Sequence, residues 1–174
     1  AHAGRLLLAA DHRLTTDSTG ISWSHTIYSD DHGQTWHLGG GLDQTNATND
    51  FSNEATLVEL ANGDVYMSIR VQDQYTSYRG KSTSSDGGLT WSTMQLETDL
   101  SSKQVEGSLL RLNSNVLLFS SLNNALGGQR HEMTIWLSYD EGQNWSRGRT
   151  IDFGYAGYSD MAVVGPDTVL LVST

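Results

Sequence analysis

The chain has 174 residues, and 20 acidic against 10 basic side chains leave a formal net charge of −10. That size fits one domain, and an acidic surface carrying only two lysines, Lys81 and Lys103, lacks the cations that neutralise phosphates, so nucleic acid is not an expected partner. No apolar run approaches the roughly 20 residues that span a bilayer, so no membrane insertion is expected, and the absence of cysteine excludes disulfides, thiolate ligands and a thiol nucleophile.

In chain order the elements read as strands. Short alternating or β-rich runs occur at 5–10, 24–28, 55–60, 64–70, 80–84, 108–112, 116–122, 133–138, 161–164 and 168–172. Turn signals at Asn62-Gly63-Asp64, Asn113-Ser114-Asn115 and Gly165-Pro166-Asp167 separate several of them. No stretch carries an apolar i, i+3, i+4, i+7 stripe with caps, so helix is expected to be minor. Eighteen glycines, one proline and a hydrophobic fraction of 37% suit short strands joined by tight turns and polar loops.

Three segments share the pattern S-x-D-x-G-x-[TN]-W: residues 29–36, 84–91 and 138–145. Their aspartates, Asp31, Asp86 and Asp140, stand 55 and 54 residues apart. Each copy follows a strand-like run and precedes a polar stretch, where a hairpin turn belongs. The aspartate is suited to accept turn amides, the glycine to take positive φ, and Trp36, Trp91 and Trp145 to pack back as plugs, so these residues are read as structural. Repeated antiparallel sheets of four strands make a β-propeller. The period allows about three blades in residues 1–174, whereas closed propellers have about 4–8. Open blade edges are costly, so the chain is expected to be part of a longer propeller or to close as a homo-oligomer.

The repeats resemble the Asp boxes, or BNR repeats, shared by sialidases and several other families. The intervening segments are more specific. Asn53-Glu54 opening one strand and Arg70 ending the next resembles a sialidase hairpin; Gly128-Gln129-Arg130 ahead of the third box resembles the place of another family arginine; and Tyr155-Ala156-Gly157-Tyr158-Ser159-Asp160-Met161 resembles the motif around the nucleophilic tyrosine. On these motifs the chain is identified as the central portion of an exo-α-sialidase, whose full-length propeller has six blades.

That resemblance implies retaining hydrolysis of terminal α-linked sialic acids, with Tyr158 as nucleophile, Glu54 as its base, and Arg70 and Arg130 as two of three arginines clamping the substrate carboxylate. The chemistry is coherent. Planar guanidinium forks match a carboxylate, and a neutral phenol avoids the repulsion an anionic nucleophile would meet beside it. The family's general acid and first clamp arginine have no matching motif here: Arg5, Asp11, Arg13 and Asp17 precede the first box without the family's context. Arg79 suits either a ligand contact or a blade support. The six histidines, His2, His12, His25, His32, His37 and His131, show no metal-ligand spacing, so no metal and no cofactor is expected. Two N-glycosylation sequons, at Asn46 and Asn144, carry no assigned function. Sialylated glycans are the implied partners, and export the implied localisation, although no signal is visible. The alternative is a non-catalytic Asp-box propeller that binds carbohydrate or protein.

Overall fold

The computed structural model describes residues 4–13, 22–42, 52–72, 76–101, 105–123 and 130–174. Among these every regular element is a strand: β1 (Leu6–Arg13), β2 (Ser22–Ser29), β3 (His37–Gly41), β4 (Ser52–Glu59), β5 (Val65–Val71), β6 (Tyr78–Ser84), β7 (Gln95–Ser101), β8 (Ser108–Asn113), β9 (Val116–Leu122), β10 (His131–Ser138), β11 (Ser146–Tyr155), β12 (Ser159–Gly165) and β13 (Thr168–Ser173). They form antiparallel sheets in the orders β1-β2-β3, β4-β5-β6-β7, β8-β9-β10-β11 and β12-β13. The expected four-strand unit is therefore complete twice, preceded in the chain by a three-stranded sheet and followed by a two-stranded one.

Strands β3, β7 and β11 are absent from the sequence reading. Each is the first strand after its box and forms a sheet edge; β3 and β11 are exposed or half-buried along nearly all their length, and β7 buries only Glu97 and Leu100, three residues apart and so on opposite faces. A strand that buries no stripe leaves no period-2 signal. Strands β5 and β9, second in their sheets, show the opposite limit and are buried on both faces along most of their length.

The chain divides into two compact units, residues 1–73 with 80–96, and 74–79 with 97–174. In the first unit, Leu42, Met67 and Ile69 form a core against which Ala55, Leu57, Trp91 and Met94 pack. Strands β1 and β2 lie against β4, where the Ser24 amide donates to Ser52 Oγ at 3.1 Å and the Ser24 hydroxyl donates to the Asn53 carbonyl. Arg5 forks onto Asp30 through two bonds of 2.8 Å, donates to the Gly87 carbonyl at 3.1 Å and stacks over Tyr28, so its charge is consumed by the fold.

In the second unit the core is Val105, Leu122, Met133 and Ala156. Strand β12 lies against β8 and β9 through hydroxyls: Ser120 and Ser159 meet at 2.8 Å, and Ser108 Oγ donates to Asp160 at 3.1 Å while accepting the Met161 amide at 3.0 Å. Paired hydroxyls of this kind let a chain with few large apolar side chains fill its sheet interfaces without leaving buried polar groups unsatisfied. Arg79 is also buried here. It donates to the Val105 carbonyl at 2.8 Å and lies 5.0 Å from the Phe119 ring centroid, which makes it a blade support.

The boxes are the β2–β3, β6–β7 and β10–β11 turns, and they repeat one hydrogen-bond plan. The serine accepts the glycine amide at 2.8, 2.8 and 2.9 Å and donates to the aspartate at 2.7, 2.8 and 2.9 Å. The same carboxylate accepts both the amide and the side chain of Thr35, Thr90 or Asn144. The residue before the glycine and the glycine itself are both left-handed: His32 and Gly33 (φ 59° and 86°), Gly87 and Gly88 (71° and 88°), Glu141 and Gly142 (62° and 78°). Bonds from Thr35 and Ser29 hold Asp31 far below the usual carboxylate range, and those from Asn144 and Ser138 lower Asp140.

The tryptophans diverge from the common role expected of them. Trp145 is buried against Phe119 and Trp91 packs beside Met67 and Ile69, whereas Trp36 remains 43% exposed and closes only its own turn, donating to the Gly33 carbonyl at 3.2 Å. Leu6 and Leu8 on β1, and Val163, Val164, Leu170 and Val172 on β12 and β13, stand exposed.

Candidate functional site

The β4–β5 hairpin is closed by the predicted Asn62-Gly63-Asp64 turn, in which Gly63 takes φ 88° and the Asp64 amide donates to Asn62 Oδ1 at 3.0 Å. Its register pairs Ala55 with Ile69 but Ser52 with Val71, so Asn53 and Glu54 together oppose Arg70. Such a bulge bends the strand and re-aims its side chains. Asn53 turns inward, is buried, and accepts the Glu54 amide at 2.7 Å through Oδ1. Glu54 meets Arg70 Nη1 at 2.5 Å, the two side chains 27% and 12% exposed. A charge-assisted bond this short between partly desolvated groups fixes both side chains. The pair occupies the end of its sheet opposite the second box.

The second pair lies in the second unit. Arg130 immediately precedes β10, and its carbonyl accepts the Ala156 amide at 3.1 Å. Tyr158 immediately precedes β12; its amide donates to Thr174 Oγ1 at 3.2 Å and its carbonyl accepts the Thr174 amide at 3.1 Å. The Arg130 guanidinium lies 5.5 Å from the centroid of the Tyr158 ring, which packs against the core of Val105, Leu122, Met133 and Ala156. A guanidinium over an aromatic face is attracted by the ring quadrupole, so Arg130 and Tyr158 orient one another. Tyr155, the rival tyrosine, is 75% exposed at the end of β11.

The four sequence-predicted residues thus form two local pairs, Glu54 with Arg70 and Arg130 with Tyr158. Asn53 and Thr174, which position Glu54 and Tyr158, were not assigned those roles; polar residues at strand ends carry no distinctive pattern. Of the residues preceding the first box, Arg5 is engaged by Asp30, Arg13 donates to Ser22 Oγ at 2.9 Å, Asp11 is exposed, and Asp17 lies outside the described residues. Asn46 and residues 127–129 also lie outside them. The Asn144 side chain is committed to Asp140 at 2.7 Å within its box. Among the described residues no group of three or more His, Asp or Glu side chains suits a metal ion, and no helix is long and apolar enough to cross a membrane.

The family model for the BNR repeat-like domain matches residues 1–169. The chain belongs to the sialidase family with BNR repeats. It is 30% identical over 175 residues to the sialidase of Micromonospora viridifaciens, covering 95% of this chain and 25% of that protein. Among solved structures, a Hadza microbial sialidase superposes with a TM-score of 0.76 at 26% identity, covering 97% of this chain and 32% of that one. A Trypanosoma rangeli sialidase in complex with sialic acid shares the fold, with a TM-score of 0.65 at 21% identity over 96% of this chain and 29% of the other. The sheets described above are therefore blades of a sialidase-type β-propeller, and the chain spans about a quarter of the length of the curated relative.

Proposed function

We propose that this chain carries the central part of a retaining exo-α-sialidase that releases terminal sialic acids from exported or cell-surface glycoconjugates, residues 1–174 forming part of one propeller domain. Tyr158 attacks the anomeric carbon as the glycosidic carbon–oxygen bond breaks, giving a tyrosyl glycoside that water then hydrolyses with retention. Glu54 accepts the phenolic proton, because a neutral phenol is a weak nucleophile until a neighbouring base takes that proton. Arg70 and Arg130 hold the substrate carboxylate. Protonation of the leaving oxygen belongs to a group outside the motifs matched here. The observation that carries this reading is the Arg130 and Tyr158 pair, a carboxylate-matching fork held against a core-packed phenol. The Glu54 and Arg70 ion pair and the solved relative holding sialic acid support it.

The test is sialic-acid binding by the 174-residue chain, followed by NMR, alongside turnover of a fluorogenic sialoside. Binding is expected to weaken at least about tenfold in Arg130→Ala, the size of a lost charge-assisted contact, and to survive Tyr158→Phe. Any turnover is expected to vanish in Tyr158→Phe. Absence of binding in the wild type, or binding indifferent to both Arg70→Ala and Arg130→Ala, would leave a non-catalytic propeller that recognises some other ligand.

A further inference from the structure

His12 and His25 are 13 residues apart, a separation that carries no metal-ligand signal along the chain, yet strand register brings them together. Strands β1 and β2 pair Ala10 with His25 and His12 with Trp23, so both imidazoles stand on one face of the sheet, diagonal to one another. Ser24, whose buried hydroxyl donates to the Asn53 carbonyl, lies on the other face with Asp11 opposite it, so the histidine face is turned away from β4. The two Nδ1 atoms are 3.2 Å apart and the ring planes meet at 71°. His25 is flanked by Ala10 on β1 and Gly41 on β3, short residues that leave room beside the nitrogens. His12 is exposed and His25 half-buried. The His12 ring also stands perpendicular to Trp23, with centroids 5.4 Å apart, a contact that favours one ring orientation.

Two neutral imidazoles whose Nδ1 atoms converge have two ways to satisfy one another. Either one ring donates Nδ1–H to the other, or both keep their protons on Nε2 and turn two lone pairs towards a cation. At 3.2 Å the contact lies at the long end of the hydrogen-bond range. It lies close to the bite of a tetrahedral ion: nitrogens about 2.0–2.1 Å from zinc stand about 3.3 Å apart, so the observed pair subtends about 100° at the metal. Exchanging the hydrogen bond for the ion moves one proton from Nδ1 to Nε2 of the same ring and releases none. Imidazole nitrogen suits zinc and its transition-metal neighbours, whereas magnesium and calcium take oxygen. Among the described residues no third His, Asp or Glu completes a cluster, so water fills the remaining positions.

We propose that His12 and His25 chelate a zinc ion through their Nδ1 atoms, tying the edge strand β1 to β2. The site does not depend on the sialidase reading. Calorimetric titration of the 174-residue chain with zinc chloride, and separately with magnesium chloride, tests it on wild type, His12→Gln, His25→Gln and, as a control on β3, His37→Gln. The wild type is expected to bind zinc and not magnesium. His12→Gln and His25→Gln are each expected to weaken zinc binding at least about tenfold, since losing a ligand costs no less than losing its supporting partner, and His37→Gln to leave it unchanged. Zinc about a hundredfold above its Kd is expected to raise the unfolding midpoint of wild type and His37→Gln by about 5–10 °C. Without metal, all four proteins are expected to unfold together, which separates a lost ligand from a lost fold. In the wild type alone, zinc is expected to shift the ring-proton NMR signals of two of the six histidines. No zinc binding, binding that either His12→Gln or His25→Gln leaves within about threefold of wild type, or NMR shifts spread evenly over all the histidines overturns the proposal and leaves a hydrogen bond between the two rings.

Discussion

Replacing Asp86 by alanine removes a carboxylate that accepts the Ser84 hydroxyl at 2.8 Å, the Leu89 and Thr90 amides at 3.0 and 2.9 Å, and the Thr90 hydroxyl at 2.6 Å. Hydrogen bonds to charged groups contribute about 1.5–3 kcal/mol each when removal strands a buried partner. Leu89 and Thr90 are exposed, however, so water takes up much of what the carboxylate leaves. With about 1 kcal/mol for each amide and less for the hydroxyls, Asp86→Ala is expected to cost about 2–3 kcal/mol. Asp86→Asn keeps the oxygen that serves three of the four donors, and the Thr90 hydroxyl can turn to accept from the new amide, leaving a cost of about 1 kcal/mol.

The two variants also differ in acid. Burial raises the Asp86 pKa, but the Thr90 hydroxyl, the Thr90 amide and Ser84 outweigh it and hold the group at about 2. In the unfolded chain it titrates near about 3.9, so the stabilisation is fully present above that value and drains away as pH falls towards 2. Urea unfolding of wild type, Asp86→Ala and Asp86→Asn, followed by circular dichroism at pH 7 and again at pH 3, measures both effects. The wild type is expected to lose more stability than Asp86→Asn between the two pH values. An Asp86→Ala variant within about 0.5 kcal/mol of wild type at pH 7, the scatter of ordinary surface changes, would refute the reasoning, as would an equal acid loss in Asp86→Asn.

Two further substitutions probe the fold beneath the site. Gly88→Ala places a Cβ 2.7 Å from Leu7 Cδ1 at a position with φ 88°, so strain and overlap combine; a loss of about 2–4 kcal/mol in thermal unfolding is expected, and an unchanged midpoint would contradict the box geometry. Arg79→Met keeps an apolar stem over Phe119 while freeing the Val105 carbonyl; it is expected to cost about 2 kcal/mol yet leave sialic-acid binding intact at temperatures where the variant is folded, and selective loss of binding would make Arg79 a ligand contact after all.

Much of the molecule was legible locally. The boxes announce themselves because serine, aspartate, glycine and threonine or asparagine satisfy a tight turn within eight residues, and a local hydrogen-bond plan leaves a local signature. The strands that bury one face or both were legible for the same reason, through alternation or short β-rich runs. The types and order of the candidate site residues, Glu54, Arg70, Arg130 and Tyr158, were also in the chain itself, through the motifs around them.

What only the tertiary structure decided are the features that depend on pairing across distance. Edge strands β3, β7 and β11 hold their place by hydrogen bonds to a neighbour and need no hydrophobic stripe, so nothing in their own residues marks them. The bulge that sets Asn53 and Glu54 against Arg70 arises from the register of two strands, as does the one that sets Glu132 against both Phe153 and Gly154. Arg79 became a support because the fold brings it to Val105 and Phe119, and Trp145 is buried because Phe119 on β9 of its own sheet packs against it, whereas Trp36 closes its own turn and stays 43% exposed. A sequence specifies such arrangements only through the sum of many weak non-local contacts, whereas a turn or an alternating strand is specified by residues within a few positions of one another.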